Sequence, residues 1–357
     1  MPTIPATELN AFAVDLLCAG GLSREEANLV AQNLVGANLR GYDSHGVMRI
    51  PYYLDQVRKG EIMPGAPFEV LRETPALLTV DAHWGFGPTQ AGRLLRRLIE
   101  KARSGGVGVG TMIHSAHIGR LGEYCETAAA ASLVSLVMAN IHGAARRVAP
   151  PGGKAPRLGT NPIAAGIPHG DTPIVLDFCT CAVAEGKVRV KRIAGQPCPD
   201  GWLLDSAGRP TNDPHDLYAD PPGTILPFGG IQPYKGFALG LLVEIFAGAL
   251  SGGICAREVP INPVGNCVFM LLLDPAHLGG AACFAAEVSA LVEFIRNCPR
   301  IEGIDEILLP GDPERRTLQR NTQEGITFDE GNWGKLASLA KELGVALPRQ
   351  WKQGIGD

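Results

Sequence analysis

The sequence predicts an α/β fold built as two interleaved domains: a helical one drawing on both ends of the chain, and a sheet-bearing one between them. Three observations carry that expectation. Helical periodicity dominates the first 57 residues and returns at 329–343, whereas residues 68–297 alternate strand-like runs with amphipathic helices. A chain of 357 residues is long for a single core. The glycine fingerprint of a Rossmann turn is also missing, so any dinucleotide site is built another way.

The elements follow in order. Residues 7–18 place apolar side chains at helical spacing, and Ser23-Arg-Glu-Glu26 reads as a capping box opening a helix towards Leu39. A third helix, 50–57, ends near Gly60. Leucine and β-branched residues predict strands within 68–80. Residues 88–102 form an amphipathic helix, with Leu94, Leu95 and Leu98 on one side and arginines on the other. A strand at 106–113, the polar His114-Ser-Ala-His117, a helix at 121–131 and a buried strand at 133–139 come next. Residues 172–178 are another buried strand. Turn signals fill 182–224, among them Gly201 and Asp220-Pro-Pro-Gly223. An apolar helix at 234–250, a strand at 268–273 and a helix at 281–297 complete the middle. The last helix, 329–343, packs back on the first domain.

Composition excludes several classes. With 45% hydrophobic and 19% charged residues the chain reads as an ordinary globular protein. Its net charge of −4, without basic runs interleaved by aromatics, argues against nucleic acid as a partner. The nine cysteines are odd in number and scattered, with no C-x-x-C pair, which fits reduced thiols in a cytoplasmic protein rather than disulfides or a zinc site. Residues 1–10 lack a signal-peptide pattern. The apolar stretch 236–250 carries Glu244 and several glycines and is too short for a bilayer span, so no membrane role is expected.

The densest chemistry lies in Gly41-Tyr-Asp-Ser-His-Gly-Val-Met-Arg49. Asp43, Ser44, His45 and Arg49 place a carboxylate, a hydroxyl, an imidazole and a guanidinium close together. His45 and Arg49 are four apart, which on a helix puts them on one face. A proton-carrying imidazole beside a carboxylate-gripping fork suits reduction of a 2-oxo acid. The same nine residues equally fit a helix start capped by Asp43 or Ser44, with Arg49 solvated.

Gly106-Val-Gly108-Val-Gly110 has alternating glycines but continues as a strand, and no P-loop occurs. Lys235, in Pro233-Tyr-Lys-Gly236, stands at the start of an apolar helix. There it could face a pyrophosphate, or be an ordinary surface lysine. His114 and His117 have metal-like spacing without a third ligand, so no metal site is expected. His117, at a strand-to-helix junction beside Gly119, fits a substrate- or nicotinamide-facing imidazole better.

In this order and with these gaps, the motifs resemble the malate/L-lactate dehydrogenase family of non-Rossmann oxidoreductases. The likeness covers nearly the whole chain: the 41–49 cluster, His114–His117, Leu158-Gly-Thr-Asn-Pro162, Val175-Leu-Asp177, Gly186-Lys187, Pro233–Gly236 and Pro310-Gly-Asp-Pro-Glu314. The resemblance implies a homodimer using NAD or NADP, with its active site near the subunit interface. It further implies a mostly antiparallel or mixed sheet at 73–299 that binds the cofactor, and a helical substrate and dimerisation domain from 1–72 and 300–357. By the same resemblance Val175, Asp177, Phe178, Cys179, Thr180 and Cys181, with Tyr234, Lys235, Gly311, Asp312 and Pro313, line the cofactor. His45 becomes the acid/base, a cationic imidazole when reducing, and Arg49 the clamp on a small carboxylate substrate. Ser44 orients substrate or imidazole, His117 is a second active-site histidine, and Asp177 holds an imidazole or the carboxamide. A cyclic imino acid is the alternative substrate. Arg189, Lys191 and Arg192 form a basic cluster able to meet a 2′-phosphate.

Overall fold

A computed structural model describes residues 1–143 and 146–348. The chain begins with β1 (Thr3–Ile4), α1 (Ala6–Ala19), α2 (Arg24–Leu39) and α3 (Ile50–Arg58). There follow β2 (Glu69–Glu73), β3 (Leu77–Asp81), α4 (Gly87–Gly105), β4 (Val107–Ser115), α5 (Gly122–Ala130) and β5 (Val134–Ile141). Next are β6 (Pro162–Ile167), β7 (Ile174–Cys179), α6 (Glu185–Ile193), β8 (Leu203–Leu204), β9 (Pro210–Thr211) and β10 (Thr224–Ile225). The chain ends with α7 (Tyr234–Val243), β11 (Asn266–Leu273), α8 (Ala281–Arg296), α9 (Asp312–Glu324), β12 (Ile326–Thr327) and α10 (Glu330–Leu343). No helix among the described residues is long and apolar enough to cross a membrane.

The central sheet has seven strands in the order β2-β3-β4-β11-β5-β6-β7. Only β3 and β4 pair in parallel, and α4 makes their crossover. The other pairings are antiparallel, as a mostly antiparallel, mixed sheet requires. Gly108 and Gly110 let α4 lie close on β4. A Cβ on Gly108 would sit 2.5 Å from the Leu98 carbonyl oxygen, and one on Gly110 2.7 Å from Leu98 Cδ1. Those alternating glycines therefore serve packing.

Both chain ends share one core. Leu9, Leu16, Leu34, Ile50 and Leu54 pack with Ile326, Leu336 and Leu339, and β1 pairs with β12. Ser23 caps α2 by accepting the Glu26 amide at 3.2 Å. The reciprocal half of the expected box is absent, because the Glu26 carboxylate instead accepts the Gly65 amide at 2.9 Å.

Several elements depart from expectation. Within 182–224, read as turns, α6 and the short strands β8, β9 and β10 form; β1, β6, α9 and β12 also form where the sequence was not read as strand or helix. The apolar helix at 234–250 begins as α7 but continues through Glu244–Ala249 as a π-helical turn.

Candidate active site

The 41–49 segment is not an α-helix. Asp43–His45 and Val47–Arg49 are two single 3-10 turns meeting at Gly46. The buried Asn38 of α2 clamps them. Its amide group donates to Asp43 Oδ1 at 2.8 Å, and its oxygen accepts the Val47 amide at 2.9 Å. Gly46 is needed here, since a Cβ would sit 2.1 Å from Asn38 Oδ1. His45 and Arg49 thus come together through turns rather than helical spacing. Arg49 Nε donates to the Ser44 carbonyl at 2.7 Å. Its two terminal nitrogens meet no carboxylate among the described residues.

The Ser44 hydroxyl lies 3.0 Å from His45 Nδ1, and the rings of His45 and His117 stand 5.4 Å apart. His117 Nδ1 faces the Tyr53 hydroxyl at 2.8 Å and accepts the Gly119 amide at 3.3 Å. An amide can only donate, so Nδ1 of His117 is unprotonated and Nε2 carries the hydrogen. Burial, followed by the charges of Arg49, Arg120 and Arg189, lowers the His45 pKa to about 3. Burial, Arg49 and His45 hold His117 well below its ordinary value. The cationic imidazole expected for reduction is therefore not the resting state: both rings are neutral at neutral pH.

Asp177 does something other than hold an imidazole. Its Oδ2 accepts the Gly122 amide at the start of α5 at 2.8 Å and lies 3.6 Å from Arg120 Nε. Burial raises its carboxyl to about 6 against the opposing pull of Arg120. Arg120 is 3% exposed, binds Glu126 at 2.7 Å, and lies 5.1 Å from the centre of the Tyr42 ring. The Tyr42 hydroxyl donates to Glu314 at 3.0 Å. Sequence reasoning missed Tyr42, Tyr53 and Arg120. Their only signal was proximity to the histidine motifs.

The three expected cofactor segments converge along β7. Phe228 joins two of them: its amide donates to the Thr180 carbonyl at 3.1 Å, and its own carbonyl accepts the Gly236 amide at 3.0 Å. Tyr234 and Lys235 stand exposed on the first turn of α7. The rings of Phe178 and Phe228 lie 6.1 Å apart and form a partly exposed apolar shelf. At the other end of β7 the Val175 amide donates to the Pro310 carbonyl at 3.1 Å, seating the Gly311-Asp312-Pro313 loop. Asp312 holds that loop, accepting the Leu309 amide at 2.7 Å and pairing with Arg296 at 3.0 Å and with Arg315. Burial alone would raise the Asp312 carboxyl, but the Leu309 amide and the two arginines outweigh it and hold it low. Its side chain is occupied, so only the loop backbone is free to face a ligand. Cys179 and Cys181 are free thiols. The hydrogen bond between them lowers the first and raises the second. An apolar shelf, a helix start bearing a lysine and a backbone loop along one strand edge fit a dinucleotide.

The basic cluster does not act as one patch. Arg192 stacks on the Tyr218 ring at 4.1 Å, and Lys191 donates to Gln196 at 3.0 Å. Arg189 is half-buried, with a terminal nitrogen 3.9 Å from where a Cβ on Gly186 would sit. His114 also diverges from His117. Its Nδ1 lies 2.9 Å from Asp81 Oδ2, with the Trp84 and His142 rings beside it. No group of three His, Cys, Asp or Glu side chains among the described residues is placed to hold a metal ion.

A neutral imidazole beside a guanidinium fork has the chemistry to move a proton and to grip a carboxylate, which is the kind of chemistry a dehydrogenase uses. Comparison with known proteins points the same way. Residues 4–337 match the malate/L-lactate dehydrogenase family, to which this chain belongs. It is 35% identical to the L-lactate dehydrogenase of Cupriavidus necator, over 97% of this chain and 99% of that protein. The malate dehydrogenase structure from Pyrococcus horikoshii OT3 superposes with a TM-score of 0.87 at 30% identity, covering 96% of each chain. The delta1-piperideine-2-carboxylate reductase from Pseudomonas syringae pvar. tomato gives 0.82 at 32% identity, covering 95% of this chain and all of that one. The chain is accordingly an NAD(P)-dependent oxidoreductase of this family, whose members act on CH–OH groups.

Proposed function

We propose that the chain interconverts a small 2-hydroxy acid and its 2-oxo acid, with His45 carrying the proton and Arg49 holding the carboxylate. The observation that carries this reading is a neutral imidazole oriented by Ser44, one turn from a guanidinium whose terminal nitrogens have no carboxylate. If Nδ1–H donates to the Ser44 oxygen, Nε2 keeps a free lone pair and can take the hydroxyl proton. A nicotinamide held there would supply or take up the hydride at the adjoining carbon. In the reducing direction the substrate carboxylate neutralises Arg49, removing one charge that depresses His45, and the imidazole recovers its hold on a proton. His117 offers Nε2–H to substrate or carboxamide. Asp177 acts beneath the site by fixing the start of α5. Lys235 and the backbone of 178–181 and 311–313 hold NAD or NADP.

A cyclic imino acid is the second reading, favoured by the similarity to the piperideine-2-carboxylate reductase. The charge of the site weighs against it. An iminium nitrogen is cationic, and the positive charge of Arg49, Arg120 and Arg189 is felt at His45. NAD(P)H oxidation with pyruvate and oxaloacetate, set against piperideine-2-carboxylate, tests the proposal. Turnover of the imine alone contradicts it.

We take residues 1–72 with 300–357 and residues 73–299 as the two domains, because one core gathers mostly the chain ends and another the sheet face under α4 and α5. A homodimer belongs to the same proposal. A compact 37.7 kDa monomer exposes roughly 13,800 Å², whereas this chain exposes 17400 Å². In α8 only Val292 is buried, and Leu291 and Phe294 are 56% and 79% exposed. A second copy covering α8 would bury part of that excess. Phe294→Asp is expected to yield monomers in light scattering; an unchanged mass assigns α8 another role.

A further inference from the structure

We infer that Cys179 and Cys181 form a reversible redox switch on the cofactor site: a peroxide closes a disulfide between them, and the closed form binds NAD(P)H weakly. This rests on the proposed placement of the cofactor along residues 178–181. The two thiols stand either side of Thr180, where β7 ends. The Cys179 sulfur lies 3.7 Å from the Cys181 carbonyl oxygen, and the two side chains are hydrogen-bonded to each other. A disulfide joins α-carbons about 4.4–6.8 Å apart. Residues two apart are at most roughly 7 Å apart when fully extended, and here the chain bends at Thr180.

The thiols differ as an attacking and a resolving partner must. Cys179 is half-buried beside the exposed Phe178, whereas Cys181 is 3% exposed with its sulfur 3.1 Å from the Val183 carbonyl oxygen. The hydrogen bond from Cys181, helped by the charge of Lys187, holds Cys179 below the ordinary thiol value against the effect of burial. The same hydrogen bond and burial keep Cys181 protonated. The Cys179 thiolate attacks one peroxide oxygen and the O–O bond breaks. This leaves a sulfenic acid and a hydroxide, which takes up the proton Cys179 gave away. The Cys181 sulfur then attacks the sulfenic sulfur, the S–O bond breaks, and the hydroxyl leaves as water with the Cys181 proton. Two thiols lose two electrons, and one peroxide becomes two waters.

The bridge acts on the cofactor through Thr180. The Thr180 amide donates to the Thr160 carbonyl at 3.1 Å, its hydroxyl donates to the Asn161 carbonyl at 3.1 Å, and its carbonyl accepts the Phe228 amide at 3.1 Å. A ring closed across this residue turns its peptide groups away from those partners. The bond to Phe228 is the joint that holds the Phe178–Phe228 shelf and the first turn of α7 together.

The tryptic peptide 158–187 contains both thiols and no other cysteine, which separates this pair from the exposed Cys283 and Cys298. Wild type and Cys181→Ser are treated with hydrogen peroxide and then with dithiothreitol. Each is compared with its own untreated state by peptide mass and by the dissociation constants of NADH and NADPH. The wild-type peptide is expected to lose two hydrogens while the dissociation constants rise about tenfold or more, and dithiothreitol to restore both. Saturation with reduced cofactor beforehand is expected to slow closure by covering Cys179. Cys181→Ser cannot close the bridge, and its Cys179 is expected to go on to a sulfinic acid that dithiothreitol does not reverse. Should that variant not fold, the wild-type masses and affinities decide alone. A peptide of unchanged mass, or a closed bridge with unaltered affinity, overturns the inference. Closure that leaves affinity unaltered and that bound cofactor does not slow overturns the placement along 178–181 as well.

Discussion

The Tyr53 hydroxyl and the imidazole of His117 meet at 2.8 Å, on the same ring nitrogen that accepts the Gly119 amide. The pair fixes the tautomer of His117 and aims its remaining N–H. Tyr53→Phe leaves the Gly119 amide in place but removes the stronger restraint on the ring. Activity is expected to fall about 3- to 30-fold, with stability lower by about 1 kcal/mol. Nitrogen NMR of His117 is the check: hydrogen on Nδ1 in the wild type contradicts this arrangement.

Arg49 is anchored through Nε to the Ser44 carbonyl, which leaves its fork to grip a carboxylate. Arg49→Lys keeps the charge and loses the fork. KM for the acid is expected to rise about 10- to 100-fold with a smaller change in kcat. A KM equal to that of the wild type leaves Arg49 a structural role only.

Glu123 makes a pH-dependent contribution. Burial raises its carboxyl from 4.5 to about 7, although Arg40 and Arg120 pull the other way. Between those values the folded chain keeps a proton that the unfolded chain has lost, so this contribution to stability falls as pH rises through the window. Glu123→Gln retains an acceptor for the Asn33 amide group, now 3.0 Å away, and removes the ionisation. Its Tm advantage over the wild type is expected to be small at pH 5 and to grow to about 2–4 °C by pH 8. A pH-independent difference rules out the buried-carboxylate explanation.

Gly236 supports the joint between two cofactor segments, because a Cβ there would lie 2.2 Å from the Phe228 carbonyl oxygen. Gly236→Ala must push Phe228 and the first turn of α7 apart. NAD(P)H binding is expected to weaken about tenfold or more, with a loss of stability of about 1–3 kcal/mol. Titration of cofactor fluorescence measures the first and thermal melting the second. Unchanged affinity separates this joint from the cofactor site.

Much of this was legible in the sequence where pattern and packing agree. The Ser23 cap, the amphipathic α4 and the β5 and β11 strands follow directly from local rules. Helix α6 was hidden among the turn signals that fill 182–224, and with only Val188 buried it has little apolar face to show its period. Helix α9 offers few apolar residues to reveal its period, and its start is set by the ion pairs of Asp312. Strand β6 begins at a proline and is rich in small residues, so neither propensity nor bulk marks it. The site divides in the same way. Residue chemistry singled out His45 and Arg49, but the roles of Asn38, Tyr53 and Arg120 arise from packing that has no period in the sequence.

The central claim is that His45 moves the proton. It is tested by measuring turnover of the 2-oxo acid by His45→Gln beside the dissociation constant of the reduced cofactor. The account expects kcat to fall by about 10²- to 10⁴-fold while cofactor affinity stays within about threefold of the wild type. Near-normal turnover with the cofactor bound as before contradicts it.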